Sequence, residues 1–115
     1  MPSTVNKKFK HIITLEEFKN KNYNFVFKSQ GKQILLIGVK KQVFAIDNRC
    51  PHEGYPLSKG NTKENCVLTC NWHNWKFDLN TGECLLGEDN VRNYPVNIEN
   101  DNIYVDVNPP SKNQI

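Results

Sequence analysis

The stretch from Cys50 to His73 reads CPHEGYPLSKGNTKENCVLTCNWH, and two short motifs within it decide how the chain folds. The first is Cys50-Pro51-His52 and the second is Cys70-Asn71-Trp72-His73, and seventeen residues separate them. Each motif supplies one thiolate and one imidazole, which are common ligands of transition metals. The two motifs together make a four-ligand metal site, so the rest of the chain is expected to form a scaffold that brings two loops side by side.

The spacing of the ligands bears on which metal they hold. In a Rieske [2Fe–2S] centre, two cysteines bind one iron and two histidines bind the other. A C-x-H motif followed by a C-x-x-H motif gives each loop one ligand for each iron, so the loops would clamp such a cluster from both sides. A structural zinc site accepts the same ligand types, but zinc fingers usually place two cysteines in one half and two histidines in the other. The spacing favours the cluster, and a structural zinc-binding interaction module is the alternative.

Length and composition limit the classes of protein that this chain can be. Its 115 residues predict one domain, with 37% hydrophobic and 23% charged residues and a net charge of +3. The lysines are scattered, so no basic patch indicates a nucleic-acid partner. Met1 to Phe9 lacks the apolar core of a signal peptide, and the longest aliphatic run, Ile34 to Ile37, is too short to span a bilayer. We expect a soluble, cytoplasmic protein with no membrane partner.

The pattern along the chain predicts many short strands and little helix. Thr14 with Glu17 three residues later is a capping-box pattern and predicts a single helical turn or short helix. Ser29-Gln30-Gly31, Lys40-Lys41 and Asn80-Thr81-Gly82 mark turns between the strand-like segments. The expected strands are residues 9–13, 25–27, 33–39, 43–46, 66–69, 75–79 and 84–86, followed by a closing hairpin of 94–98 and 103–107.

These segments predict an all-β, antiparallel fold. Residues 47–87 are expected to form an insertion, a small β subdomain whose tip carries the metal. The domain as a whole is predicted to cover residues 1–108, and residues 109–115 are expected to be a disordered tail.

Both motifs and the residues around them resemble a known family. Residues 50–57, CPHEGYPL, resemble the first Rieske box, C-x-H-x-G-x-P-L. Residues 70–78, CNWHNWKFD, followed by Thr81-Gly82, resemble the second box of Rieske ferredoxins and ring-hydroxylating oxygenases. The resemblance runs from about residue 9 to residue 107. Asn74 stands where the family usually has Gly and Asn71 where Pro is common, and neither change removes a ligand.

The resemblance implies a fold, a cofactor and a ligand set. The fold would be an antiparallel Rieske-type β-sandwich or barrel with the cluster-binding subdomain inserted. The cofactor would be one Rieske [2Fe–2S] cluster per chain. Cys50 and Cys70 would bind the inner iron, and His52 and His73 would bind the outer iron near the surface.

The resemblance also separates subclasses of the family. Respiratory Rieske proteins carry an extra cysteine in each box, and here those positions are Tyr55 and Trp72. They also place Ser and Tyr hydroxyls against the cluster, where this chain has Trp75 and Phe77. Fewer hydrogen bonds to the sulfurs stabilise the reduced cluster less, which predicts a midpoint potential of about −150 mV.

The resemblance implies a low-potential, one-electron ferredoxin that takes electrons from a reductase and passes them to a terminal oxygenase. His11 is the only histidine outside the motifs, so the chain cannot build the 2-His-1-carboxylate iron site of an oxygenase and is not expected to be one by itself. The alternative is a small Rieske-type subunit of a larger redox enzyme, such as a nitrite reductase. We expect a monomer.

Several other residues near the motifs have simpler explanations. Trp75 is expected to pack in the core of the cluster lobe, and Leu57 to cover the cluster. Trp72 is expected nearer the surface, where it can touch a partner. Lys59 and Lys76 can contact an acidic partner, although scattered surface lysine is the ordinary explanation.

Two cysteines and one histidine lie outside both boxes. Cys66 and Cys84 are predicted to be free, buried cysteines that pack as small hydrophobic residues. A disulfide between them is the alternative, and it suits a reducing compartment poorly. His11 is expected to have no role in the metal site.

Overall fold

The computed structural model describes residues 9–49, 56–64, 66–70, 75–86 and 90–107. Within these ranges the chain is mostly antiparallel β-sheet, as the sequence predicted, and no helix there is long and apolar enough to cross a membrane. The elements in chain order are β1 Phe9–Thr14, α1 Leu15–Asn20, β2 Asn24–Ser29, β3 Lys32–Val39, β4 Gln42–Asp47, a 3₁₀ turn Leu57–Lys59, β5 Asn61–Glu64, β6 Val67–Thr69, β7 Lys76–Asp78, β8 Cys84–Leu86, β9 Asn93–Tyr94, β10 Val96–Glu99 and β11 Asn102–Asp106.

The first sheet joins the two ends of the described chain in the order β1-β11-β10. Helix α1 follows β1 directly, and the Thr14 hydroxyl caps it by accepting a hydrogen bond from the Glu17 amide at 3.1 Å. Such a cap satisfies one of the free amides at a helix start. Phe18 on this helix is fully buried, so the short helix is held by packing as well as by its cap.

The central sheet has the order β2-β3-β4-β9, and its hairpins use two-residue turns. Lys40 and Lys41 have φ values of 51° and 67°. A type I′ turn requires positive φ at both central residues, and it matches the right-handed twist of the two strands that it joins. The centre of strand β3 is buried on both faces. Its residues Ile34 and Leu36 enter one hydrophobic core, and the alternate residues Leu35 and Ile37 enter a second core on the other face.

The closing hairpin differs from the prediction in one respect. Residues 94–98 do not form one strand, because the chain changes sheets at Pro95. Strand β9 pairs with β4 in the central sheet, and β10 pairs with β11 in the first sheet. Proline has no amide hydrogen to donate to a ladder, so it stands where the pairing is interrupted.

The third sheet has the order β5-β6-β7-β8 and lies within the range predicted for the inserted subdomain. Strand β5 was not predicted, because its sequence Asn-Thr-Lys-Glu shows no apolar alternation. The core that Leu35 and Ile37 enter also contains Leu68 and Phe77 of this sheet, so the third sheet packs on one face of the central sheet. The boundaries 1–108 and 47–87 stay predictions, and residues 109–115 lie outside the described residues.

Candidate metal centre

The first motif belongs to a loop whose two ends are tied together. Arg49, before the loop, forms an isolated antiparallel β-bridge with Pro56, after it. One step further out, the Leu57 amide donates to the Asn48 carbonyl at 2.9 Å. Residues 50–55, which include Cys50 and His52, lie outside the described residues, but the chain enters and leaves this loop at a fixed, narrow base.

Asn48 is the residue that holds this base to the central sheet. Its side chain is 3% exposed, and its Oδ1 accepts a hydrogen bond from the Ser58 amide at 2.8 Å. Its backbone amide donates to the Gln33 carbonyl at 2.9 Å, and its Nδ2 donates to Gln33 Oε1 at 3.1 Å. A buried amide side chain with its donor and its acceptor both satisfied fixes one local geometry. The hydrogen bonds of Asn48 therefore hold the base of the first loop against β3.

The second motif belongs to a shorter loop with an equally narrow base. The Cys70 amide donates to the Trp75 carbonyl at 2.7 Å, which closes residues 71–74 between β6 and β7. Beside this base, Lys76 Nζ donates to the Thr69 hydroxyl at 3.0 Å. His73 lies outside the described residues, while Cys70 is described and is fully buried.

Gly60 brings the two loop bases together. It follows the 3₁₀ turn that ends the first base, and its amide donates to the Leu57 carbonyl at 2.9 Å. Its neighbour Asn61 pairs with Thr69, the residue before Cys70. A Cβ at position 60 would lie 2.4 Å from the Thr69 carbonyl oxygen, so only glycine permits this approach. The described bases of the two loops are side by side because of this contact.

Of the four predicted ligands, the structure describes only Cys70, so the roles of Cys50, His52 and His73 stay predictions. No group of three potential metal ligands comes together within the described ranges. The residues that are described fit a Rieske centre. Cys70 is fully buried in an apolar cluster with Leu57, which suits a ligand of the inner iron. Placing the two loop bases together also allows each loop to contribute one cysteine and one histidine.

Two other residues near the loops, Leu57 and Trp75, belong to the core or pack against it. Leu57 is fully buried in the core beneath the first loop, and whether it covers a cluster stays a prediction. Trp75 is partly buried against the same core, with its ring centroid 6.3 Å from that of Phe77. Trp72 lies outside the described residues. Far from the loops in sequence, His11 Nε2 forms a hydrogen bond with Asn102 Oδ1 at 3.0 Å in the first sheet.

Cys66 and Cys84 form no disulfide, as predicted. Both are partly exposed rather than fully buried, and both pack against the core of the third sheet. Cys66 precedes β6 and Cys84 lies in β8, on opposite sides of β7. Two strand spacings separate positions across β7 by about 9–10 Å, which exceeds the Cα separation that a disulfide can span. The sheet order explains why the two thiols are not joined.

The sequence did not reveal a third support of the first loop, the contact between Asp47 and Tyr94. The Tyr94 hydroxyl donates to Asp47 Oδ1 at 2.5 Å, and the Asp47 amide donates to the Arg92 carbonyl at 2.9 Å. Burial of the Tyr94 ring, followed by the hydrogen bond and the charge of Asp47, raises the pKa of Tyr94 well above its usual value near 10. This contact holds the end of β4, three residues before Cys50, against β9.

The raised pKa of Tyr94 predicts a pH dependence of stability. Below about pH 10 the phenol is protonated in both the folded and the unfolded chain, so its stabilising contribution is complete. Above that pH the unfolded chain loses the proton while the folded chain keeps it, and the free energy of unfolding falls. We expect Tyr94→Phe to be less stable by about 1 kcal/mol at pH 7. We also expect the variant to lose stability less steeply than wild type between pH 10 and pH 11.

Urea unfolding at several pH values checks this expectation. Tyr23→Phe is the matched control, because the Tyr23 ring is 44% exposed on the surface. The control should follow wild type over the whole range. Equal alkaline slopes for Tyr94→Phe and wild type would contradict the role given to the buried hydroxyl.

Comparisons with known proteins show which family model and which relatives this chain matches. Residues 8–97 match the family model described as Rieske [2Fe-2S] domain. The chain is 36% identical over 76 residues to the 3-phenylpropionate/cinnamic acid dioxygenase ferredoxin subunit of Photorhabdus laumondii, covering 64% of this chain and 72% of that protein. It is 34% identical over 80 residues to the ferredoxin component of the naphthalene 1,2-dioxygenase system of Pseudomonas putida, covering 68% and 76%.

A solved structure agrees with these relatives. The ferredoxin of carbazole 1,9a-dioxygenase from Nocardioides aromaticivorans IC177 superposes with a TM-score of 0.73 at 27% identity. The match covers 84% of this chain and 95% of that ferredoxin. The three sheets described above are therefore arranged as in a ferredoxin of known structure.

Proposed function

The chain belongs to the Rieske [2Fe-2S] family, and from that premise we propose that it is a one-electron carrier that takes electrons from a reductase and passes them to a terminal oxygenase. The observation that carries the proposal is that the narrow bases of the two loops meet where Gly60 contacts Thr69. The fully buried Cys70 lies at the base of the second loop. The relatives support a carrier rather than a catalytic component. They are named as ferredoxin components, and this chain covers between 72% and 95% of their lengths.

We assign four residues as ligands of the family's [2Fe–2S] cluster. Cys50 and Cys70 would bind the inner iron, and His52 and His73 would bind the outer iron. When bound, the cluster supplies reversible one-electron chemistry, and the chain supplies ligands, burial and a docking surface. The full burial of Cys70 among Leu57, Leu68 and Phe77 supports the inner position, because apolar side chains exclude water from that side.

A low midpoint potential is part of this proposal. Phe77 is fully buried in the same core as Cys70 and has no hydroxyl to donate to a cluster sulfur. We expect Phe77→Tyr to raise the potential by about 40 mV, the equivalent of roughly 1 kcal/mol for a one-electron couple. Potentiometric titration of both proteins measures the difference. An unchanged midpoint in a folded, cluster-loaded variant would count against the argument.

The compartment is proposed to be the cytoplasm. None of the cysteines in the described part of the chain, Cys66, Cys70 and Cys84, forms a disulfide. Proteins that keep their thiols reduced belong in compartments where disulfides are rare, which supports this assignment.

The proposed function is tested by spectroscopy on protein purified without oxygen. We expect a red-brown protein with about two irons per chain, and an EPR signal that appears on reduction and disappears on oxidation. A colourless protein that contains zinc and no iron would instead identify the structural zinc module and overturn the assignment. Reconstitution with candidate reductases and ring-hydroxylating oxygenases then tests the direction of electron flow.

A further inference from the structure

We propose that the side chains of Asn48 and Asn24 form a clamp on Ser58 that limits how fast the first loop releases the cluster. Both asparagines are positioning residues, because they act through the backbone of Ser58 and not on the metal. The inference rests on the proposed function, which makes Cys50 and His52 of the first loop ligands. It adds the side from which the cluster is first released. The two asparagine contacts are called the Ser58 clamp below.

Both backbone polar groups of Ser58 form hydrogen bonds with asparagine side chains. The Ser58 amide donates to Asn48 Oδ1 at 2.8 Å, and the Ser58 carbonyl oxygen accepts from Asn24 Nδ2 at 3.1 Å. Asn48 directly follows β4 and Asn24 begins β2, so two separate strands hold the 3₁₀ turn that follows the first loop. The neighbouring Leu57 amide donates to the Asn48 carbonyl at 2.9 Å. Asn48, before the loop, therefore accepts two consecutive amides after it.

Burial and a further hydrogen bond fix the orientation of the Asn48 side chain. The residue is 3% exposed, and its Nδ2 donates to Gln33 Oε1 at 3.1 Å. Water cannot replace the partners of a buried, fully bonded amide unless the structure around it opens. Alanine at position 48 would leave the Ser58 amide without this acceptor. The base of the first loop could then open with fewer hydrogen bonds to break.

The base of the second loop has a different kind of support, because it is part of a β-ladder. Thr69 of β6 pairs with Lys76 of β7, and the Cys70 amide donates to the Trp75 carbonyl at 2.7 Å directly beside this pair. Opening this base requires separating the two strands. A turn that is held by side chains can instead detach while the sheets stay paired, which is a local opening of low cost. We therefore expect the first loop to release its ligands before the second.

Iron release at low urea tests the clamp in the complete, cluster-loaded protein. Oxidised protein is mixed with excess EDTA, and the loss of visible absorbance gives the release rate at several urea concentrations below the unfolding transition. Release through local opening exposes little surface and depends weakly on urea, whereas release through global unfolding depends on urea steeply. The shallow part of the plot therefore reports the opening of a loop.

Two variants of the clamp and one control separate local opening from global stability. We expect Asn48→Ala to raise the shallow rate about tenfold, because it removes two side-chain hydrogen bonds, and Asn24→Ala to raise it about threefold, because it removes one. Asn24→Ala is the milder variant, since it leaves the buried Asn48 in place. Thr14→Ala is the control, because it removes the cap of α1 and so weakens the fold away from both loop bases. It should change only the steep part.

Hydrogen exchange of the cluster-loaded proteins gives a readout that does not depend on iron chemistry. The amides of Leu57 and Ser58 donate to Asn48, and the amide of Gly60 donates to Leu57 at 2.9 Å. We expect peptides that cover residues 57–60 to exchange about tenfold faster in Asn48→Ala than in wild type. Peptides that cover β7 should exchange at the wild-type rate. Mass spectrometry of the quenched, digested proteins measures both.

The outcomes distinguish the clamp from the function on which it rests. A raised shallow rate and faster exchange at residues 57–60 in the asparagine variants, with neither change in Thr14→Ala, support the clamp. Shallow rates equal to wild type in both asparagine variants, or an equal rise in Thr14→Ala, would overturn the clamp and leave the carrier function standing. A protein purified with zinc and no iron would refute the carrier function, and zinc release from the same variants would still decide the role of the clamp.

Discussion

Replacing Cys70 by alanine is expected to abolish cluster binding, lowering iron from about two atoms per chain to nearly none and removing the visible colour. Cys70 is the one proposed ligand whose surroundings the structure describes. Its side chain is fully buried, and its backbone amide closes the second loop through the Trp75 carbonyl. Alanine keeps that backbone hydrogen bond and fits the same space, so the variant should fold around its two main cores. It lacks the thiolate, so the inner iron would have a single protein ligand, Cys50, where a Rieske centre has two cysteines.

The other cysteines provide the controls for this experiment. Cys66→Ala and Cys84→Ala remove partly exposed cysteines, one beside β6 and one in β8, that form no disulfide. Both variants should retain wild-type iron content and the wild-type EPR signal. Iron analysis and EPR of the three proteins, purified in parallel without oxygen, make the comparison. Full cluster loading in Cys70→Ala would contradict the ligand assignment.

Replacing Gly60 by alanine is expected to have the second largest effect, because it would force the two loop bases apart. The φ of Gly60 is −76°, a value that any residue adopts, so the cost is steric rather than conformational. The new methyl group would meet the Thr69 carbonyl oxygen at 2.4 Å, and a backbone oxygen cannot rotate away as a side chain can. We expect a loss of about 3 kcal/mol in the free energy of unfolding, at the upper end of the usual cost of overpacking. We also expect reduced cluster occupancy, because Thr69 directly precedes Cys70.

Gly31→Asn is the matched control for this variant. Gly31 has a φ of 79° and open space around its Cα, and asparagine tolerates that left-handed conformation better than most residues. We expect a change in stability within about 0.5 kcal/mol and full cluster loading. Urea unfolding of the apoprotein and iron analysis of the holoprotein measure the two effects separately. A Gly60→Ala variant as stable and as fully loaded as Gly31→Asn would show that the loop bases do not depend on this contact.

The sequence predicted the fold class because its signals were local. The capping pattern of Thr14 and Glu17, the turns at Gly31 and at Lys40-Lys41, and the aliphatic run of β3 each involve neighbouring residues. Strand β5 was missed because its polar residues carry no periodic pattern. The change of sheets at Pro95 was also missed, since a proline marks an interruption without showing which strands lie on either side of it.

The sequence by itself determined the family, the cofactor and the four proposed ligands, because two motifs of fixed spacing contain the chemistry within a few residues. Only the tertiary structure decided how the loops are supported. Asn48 hydrogen-bonds to Gln33, fifteen residues away, and Tyr94 hydrogen-bonds to Asp47, forty-seven residues away. Gly60 allows the close approach of Thr69, nine residues away. Each contact depends on the packing of separate strands, and no short stretch of sequence records which strands become neighbours.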